Sequence, residues 1–461
     1  MKNISEIHRT KERESGEAAM LRREGLTWSL IRFSLPIIGC GVVQQAFNSI
    51  DVAVVGRMVS SSALAAVGAN GPVISLIITL FMGLGVGINV VVSRALGERN
   101  YGRVRRTVAT QAVVSAAVGI ILLLTGLAVA RPLLAALDTP AEILEAATSY
   151  LQIYALGFPA MLAYNFSSAV LRSVGDTFRP FLWLVAGGVV NLCLNLVFVC
   201  VFGMGVEGVA IATSVSNYVS AAGVIWILSR EKGSIRLQRR HLRFYGAEFA
   251  AIVRIGLPAG VQGTLFALSN VIIQSAINLL GPNAMAGSAA AITYELYGYF
   301  IISAFVQAAT AYVGINYGAG QYRNCRIIVW RCVALSALFS FVLNTAVVCF
   351  STAASQLLTG DGASLEYAVM RIQLVLFWQF VASSYEVCGG ALRALGYSIL
   401  PMLITLGGTC VVRIWWVRLS GFTLDYMRLL TVYPATWCLT GVVMVIAYCL
   451  VARRAYSREP I

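Results

Sequence analysis

The sequence predicts an all-α integral membrane protein: twelve transmembrane helices in two six-helix lobes, related by a pseudo-two-fold axis along the membrane normal. Three observations predict it. Only 12% of the 461 residues are charged and 58% are hydrophobic, whereas a soluble domain carries roughly 25% charged residues. Apolar stretches long enough to cross a bilayer recur along the chain. The second half of the chain repeats the first in register.

A membrane-spanning helix needs roughly 20 mostly apolar residues. By that measure the spans fall at 28–56, 63–92, 107–130, 149–171, 180–203, 207–229, 250–279, 286–315, 327–350, 366–392, 397–418 and 429–452. Turns rich in Gly, Pro or Asp separate them, as at Asp138-Thr139-Pro140 and Gly281-Pro282-Asn283. This organisation predicts an N-terminal cytoplasmic segment at 1–26, an N-lobe at 27–229, a basic linker at 230–248, a C-lobe at 249–452 and a cytoplasmic tail at 453–461. The polar N-terminal segment lacks the apolar core and cleavage site of a signal peptide.

Loop charges set the orientation. With the N-terminus cytoplasmic, 27 of the 34 Lys and Arg fall on inside segments and four (Arg57, Arg131, Arg418, Arg428) on outside loops. The remaining three, Arg32, Arg371 and Arg413, lie within spans. This is the bias that the positive-inside rule requires. It makes the net charge of +14 a matter of cytoplasmic flanks beside anionic lipid, not of nucleic acid binding. Both termini are expected to be cytoplasmic.

The repeat is direct. "LPIIGCGVVQQAFNSIDVAVVG" from Leu35 matches "LPAGVQGTLFALSNVIIQSAIN" from Leu257, an offset of 222. "ALGERNY" ending at Tyr101 matches "NYGAGQY" ending at Tyr322, and "AVLRSVGDTFRP" ending at Pro180 matches "GALRALGYSILP" ending at Pro401, both at 221. An even number of spans per half brings both halves in from the same side. Parallel repeats of this kind are a transporter architecture.

Charges inside spans are functional candidates by default, because each costs a few kcal/mol. Asp51 lies late in the first span, Glu295 in the eighth and Glu386 in the tenth. Glu295 and Glu386 have two readings. They can pair with the intramembrane cations Arg371 and Arg413 as structural charges, or they can line a substrate cavity and attract cations. Asp51 has no such partner deep in its own half. Around it the first half supplies Asn48, Tyr150, Asn165, Asn191, Asn195 and Thr213. Asn191 and Asn195 are four apart and share a helix face. Amide and hydroxyl oxygens beside a carboxylate suit H⁺ or Na⁺, which favours hard ligands. The same amides can also serve as interhelical hydrogen-bonding glue.

Several functions are excluded. "GLGVG" at Gly83–Gly87 lies inside a span with no preceding strand, so it is not a nucleotide loop. No P-loop motif is present. The two histidines, His8 and His241, lie in polar segments, which leaves no intramembrane His for a relay, a metal or a membrane enzyme. Most of the ten cysteines sit in apolar stretches as small hydrophobes, without metal-ligand spacing. No enzyme activity and no cofactor is expected, and no metal beyond a possible Na⁺ at Asp51.

"NSIDVAVVGRMVSSSALAAVGANGPV", "SRALGERNYGRVRR", "AVLRSVGDTFRP" and "YGAGQY" resemble the recurring motifs of multidrug and toxic compound extrusion (MATE) transporters. The resemblance spans roughly residues 27–452 and recurs in both halves. It implies a two-lobe antiporter that exports cationic or amphipathic small molecules in exchange for H⁺ or Na⁺, working as a monomer in lipid. Asp51, in the N-x-x-D context of Asn48, matches the membrane acid of the family's first helix. Tyr150, Asn165, Asn191 and Thr213 fit the DinF-like branch by type and spacing, nearer than the NorM-like branch. That branch has a second acid where this chain has Asn195, which leaves Asp51 as the sole carboxylate of the first lobe's interior. The competing expectation is a flippase for lipid or lipid-linked precursors from the same wider superfamily.

Overall fold

The computed structural model describes residues 20, 25–359, 362–420 and 425–457. The N-terminal segment and the end of the C-terminal tail lie outside these residues. The described residues form helices joined by short turns. In the first repeat these are α1 (Leu26–Met58), α2 (Ser61–Gly97), α3 (Tyr101–Ala136), α4 (Ala141–Ala155), α5 (Phe158–Ser173), α6 (Phe178–Leu196) and α7 (Val206–Arg230). In the second they are α8 (Gly246–Asn278), α9 (Pro282–Gly318), α10 (Tyr322–Cys349), the short α11 (Ser351–Gln356), α12 (Gly362–Arg371), α13 (Ala382–Ala394), α14 (Ile399–Thr405), α15 (Val412–Ser420), α16 (Tyr426–Leu430) and α17 (Val432–Tyr456).

Among the described residues, eleven helical segments are long and apolar enough to cross a membrane. The expected span at 149–171 is made of α4 and α5, each too short to qualify alone. The helix breaks at Leu156–Gly157, where the backbone closes a tight turn, Gly157 N donating to Tyr154 O at 2.9 Å. Pro159 follows in the first turn of α5 and has no N–H to continue the ladder. A side chain at Gly157 would be tightly accommodated. A Cβ there would lie 3.1 Å from Tyr154 O and 3.2 Å from Ser214 Cα on α7.

Three helices pass through π-helical turns, at Val197–Val201 after α6, Ile372–Leu376 after α12 and Leu406–Val411 before α15. Each adjoins an intramembrane polar or charged residue: Asn195, Arg371 and Arg413. Extra-residue turns of this type re-aim side chains and concentrate at functional sites.

The repeat extends to backbone geometry. Helices end in left-handed turns at Arg99 (φ 54) and Gly320 (φ 74), and at Gly175 (φ 87) and Gly396 (φ 91). Each pair is separated by 221 residues. All four close with the same two bonds, as in Asn100 N to Ala95 O at 2.8 Å with Arg99 N to Leu96 O at 2.9 Å, and Gln321 N to Asn316 O at 2.8 Å with Gly320 N to Tyr317 O at 3.1 Å. These bonds satisfy the last free carbonyls of each helix. In the first repeat Asn100 then caps the next helix, its Oδ1 accepting from Arg103 N at 3.0 Å.

The chain packs as two compact units. One is Gly39–Val253, and the other joins the segment ending at Ile38 to the chain from Arg254 on. The units therefore depart from a simple division by repeat. The leading turns of α1 pack with the second repeat, where Asn316 Nδ2 donates to Met20 O at 2.9 Å and Tyr312 OH to Ser29 O at 3.3 Å. The leading turns of α8 pack with the first, where Arg106 Nε meets Glu248 Oε1 at 2.6 Å and Tyr245 N donates to Thr110 Oγ1 at 3.3 Å. The crossing points fall next to Pro36 and Pro258, which interrupt the ladders of α1 and α8.

The basic linker is anchored to the first unit at its start as well. Glu231 is buried and pairs with Arg179 at 2.5 Å, Leu237 N donates back to Leu228 O at 3.0 Å, and Ile235 is fully buried.

Candidate functional site

In the first unit, α1 presents Asp51, α6 presents Asn191 and Asn195, and α7 presents Thr213. The structure links all four. Asn195 Nδ2 donates to Asp51 Oδ1 at 2.5 Å and to Asn191 Oδ1 at 3.2 Å. Asn191 Nδ2 donates to Thr213 Oγ1 at 3.3 Å, and the Thr213 hydroxyl donates to Val209 O at 3.0 Å. The i,i+4 spacing of the two asparagines on α6 makes this chain of bonds possible. Gly188 lets α6 close on α1, because a Cβ there would sit 1.6 Å from the Phe47 ring.

Asn195 is fully buried, and its Oδ1 has no hydrogen-bond partner among the described residues. Buried polar atoms are normally paired. Such an acceptor can take a bond from a proton-bearing group or a contact from a cation. Tyr150 is buried in the apolar cluster with Val54, Val55 and Val209. Its ring lies 5.9 Å from that of Tyr154, and both tyrosines are within electrostatic range of Asp51.

Asn165 and Asn48 are not brought into this chain. The Asn165 amide donates to Met161 O of its own helix at 2.9 Å, and Asn48 is exposed at the surface of its unit.

In the second unit, Glu295 on α9 is paired. Arg371 Nε and Nη2 meet Glu295 Oε1 and Oε2 at 2.6 and 3.1 Å, a two-point clasp that matches a planar guanidinium to a carboxylate. The contact meets the pairing reading of Glu295, and the side chain stays half-buried rather than fully enclosed. Arg413 has no carboxylate pair among the described residues. Its Nη1 donates to Asn270 Oδ1 at 2.6 Å and reaches Ser269 Oγ at 3.5 Å. The Tyr433 ring lies between the two cations, 5.2 Å from Arg371 Cζ and 4.6 Å from Arg413 Cζ. Glu386 forms no pair with either. It lies within electrostatic range of Arg393 and Tyr299.

Sequence reading placed Arg393 in a cytoplasmic flank. The structure buries it on α13, where its Nη2 donates to Gln262 Oε1 at 3.0 Å, and Gln262 Nε2 donates to Thr405 Oγ1 at 3.1 Å. The repeat offset carried a signal for it: Arg172, 221 residues earlier, sits in range of Tyr164 and Cys40. Their repeat counterparts are Tyr385 and Gln262. Asn270, the Arg413 acceptor, is likewise the counterpart of Asn48 at offset 222.

Fold and site together define a multi-pass helical membrane protein built on a repeated half, with a hydrogen-bonded carboxylate inside one unit and an arginine pair inside the other. The chain belongs to the MatE family, whose model matches it twice, at residues 36–197 and 258–416. The two matches begin 222 residues apart, the offset of the internal repeat. Among curated relatives, the "Probable multidrug resistance protein YoeA" of Bacillus subtilis is 24% identical, covering 89% of this chain and 91% of its own length. The "Probable multidrug resistance protein NorM" of Thermotoga maritima is 26% identical over 85% of this chain and 83% of its own. Among solved structures, the outward-facing conformation of a multidrug resistance MATE family transporter of the MOP superfamily superposes with a TM-score of 0.89. It is 21% identical and covers 95% of this chain and 98% of that one.

Proposed function

We propose that this protein is a secondary transporter that exports amphipathic small molecules, organic cations among them, in exchange for H⁺ or Na⁺. The observation that carries the proposal is the bonded chain from Asp51 through Asn195 and Asn191 to Thr213. Membership of the MatE family and the names of the relatives support the export half of the reading.

The coupling works through one carboxylate. Ionised, Asp51 accepts from the Asn195 amide, and the bond ties α1 to α6. Protonated, it loses that charge-assisted bond, and a hydrogen bond of this kind contributes about 1.5–3 kcal/mol. That is enough to bias two packings of α1 that differ by a few kcal/mol, which is the requirement for alternating access. The same oxygens fit Na⁺: the Asp51 carboxylate and the free Asn195 Oδ1 form a hard-ligand set, with Asn191 and Thr213 in line behind them. Asn195 in place of a second acid implies one proton or one Na⁺ per cycle at this site. In the second unit Glu386, the carboxylate not clasped by Arg371, is the group that meets a cationic substrate. The charge bias of the loops supports a bacterial cytoplasmic membrane as its location, with both termini inside.

The test is export in proteoliposomes under an imposed pH or Na⁺ gradient, comparing wild type with Asp51→Asn. Gradient-driven export should be lost in the variant while substrate binding persists. Undiminished export by a folded variant would remove Asp51 from the mechanism. Movement of labelled lipid, with no drug export, would point to a flippase.

A further inference from the structure

The second unit carries an ionic arrangement that the coupling scheme does not use. Five elements, α8, α9, α12, α15 and α17, bring Phe266, Asn270, Glu295, Arg371, Arg413 and Tyr433 together. Arg413 is 0% exposed and Arg371 is 2% exposed. Two guanidinium charges face one carboxylate, so this membrane-embedded cluster holds an excess positive charge. A buried charge without a counter-charge is costly.

The hydrogen-bond inventory locates the deficit. An arginine has five N–H donors in a fixed fork. Arg413 uses Nη1, on a neutral amide oxygen. Among the described residues, Nε and Nη2 of Arg413 and Nη1 of Arg371 are buried without any acceptor. The rings of Tyr433 and of Phe266, 5.1 Å from Arg413 Cζ, lie against the guanidiniums but supply no oxygen acceptor for these protons. Within the cluster Phe266, Asn270 and Glu295 are half-buried, whereas Arg371 and Arg413 are buried. Asn270 Oδ1 is the neutral oxygen that an incoming oxygen would replace.

We infer that this cluster is a binding site for an oxyanion, a carboxylate or phosphate carried by an amphipathic molecule, which it holds on Arg413 and Arg371 beside the Tyr433 ring. The inference deepens the export reading, on which it rests only in taking the bound molecule to be transported. It adds anionic and zwitterionic amphiphiles to the substrate class. A free solute or the headgroup of an anionic lipid could supply the same chemistry.

The experiment measures equilibrium binding to the full-length protein in phosphatidylcholine nanodiscs, with no gradient present. The probes are radiolabelled cholate, its uncharged methyl ester and the cation tetraphenylphosphonium. Cholate should bind more tightly than its ester. Arg413→Gln should weaken cholate about tenfold or more, as loss of a charge-assisted pair does, and leave the ester unchanged. Arg413→Lys keeps the charge but not the fork and should fall between, which separates recognition from misfolding. Glu295→Gln frees the remaining Arg371 donors and should tighten cholate binding, whereas a purely structural pair would give no gain. In nanodiscs containing phosphatidylglycerol, loss of cholate binding together with retention of that lipid by wild type but not by Arg413→Gln would name the lipid as the source of the anion. The inference is overturned if neither cholate nor phosphatidylglycerol binding depends on Arg413, or if cholate and its ester bind alike. Asp51-dependent export of tetraphenylphosphonium would stand in either case, so the two readings fail separately.

Discussion

Asp51 accepts a bond from Asn195 of α6, and that bond is charge-assisted only while the carboxylate is ionised. Asp51→Asn should therefore reduce gradient-driven export to background and leave substrate affinity within a few-fold of wild type, as measured by proteoliposome flux alongside equilibrium binding. Asp51→Glu keeps a titrating group one methylene further out and should retain partial flux. Asn195→Leu removes both the amide that binds Asp51 and the unpaired Oδ1. It should lower export without abolishing it, and if Na⁺ is the coupling ion, the Na⁺ concentration for half-maximal export should rise. An unchanged ion dependence in a folded Asn195→Leu protein would place the ion elsewhere. Most of this site was legible in the sequence, because a lone acid in an apolar span and two amides at helical spacing announce themselves. The pairings within the second unit were not. Glu295 and Glu386 look alike in sequence, and only the distance to Arg371 separates them. Arg393 reads as a loop charge because it ends an apolar run, although its side chain turns inward to Gln262.

At the scale of elements, the helix boundaries were legible to within a few residues wherever Gly, Pro or Asn punctuates the chain. The break at Leu156–Gly157 and the three π-helical turns were not, since hydropathy is blind to where a continuous apolar run changes its hydrogen-bond pattern. The repeat supplies a prediction here. Arg99 occupies a left-handed turn (φ 54) that its counterpart fills with Gly320. A side chain in that region costs roughly 1–2 kcal/mol, part of which glycine gives back as lost backbone entropy. Arg99→Gly should therefore raise the melting temperature in detergent modestly; a fall would mean that the Arg99 side chain contributes more than its backbone strain costs. A second prediction concerns close packing. A Cβ on Gly119 of α3 would lie 2.5 Å from Pro159 Cα of α5, and backbone there cannot yield as a side chain does. Gly119→Val should cost about 1–3 kcal/mol or more through overpacking, seen as a lower melting temperature. Gly71, with open space around its Cβ position, is the control at which alanine should be tolerated.

At the scale of the whole molecule, the repeat was legible in sequence and the composition of the units was not. Periodicity reports which residues are alike, whereas packing depends on where the leading turns of α1 and α8 go, and both join the unit built from the other repeat. The proposed orientation in the bilayer rests on charge. Arg393 is buried and Arg172 half-buried, each in the last turn of its helix, and setting both aside still leaves the inside tally far above the four cations outside. The linker should then be cytoplasmic and the turn between α3 and α4 external. Ile235 is buried and cannot report on this, but His241 and Glu142 are exposed. The ten native cysteines must first be replaced, because Cys200 and Cys349 are exposed near helix ends on the expected outer face. In that background, a membrane-impermeant maleimide applied to intact cells should label Glu142→Cys and spare His241→Cys until the membrane is permeabilised. The reverse pattern would invert the topology. It would also put the basic linker, which the Arg179–Glu231 and Arg106–Glu248 pairs hold against the first unit, on the side facing away from anionic cytoplasmic lipid, where its charge has no electrostatic reason to be.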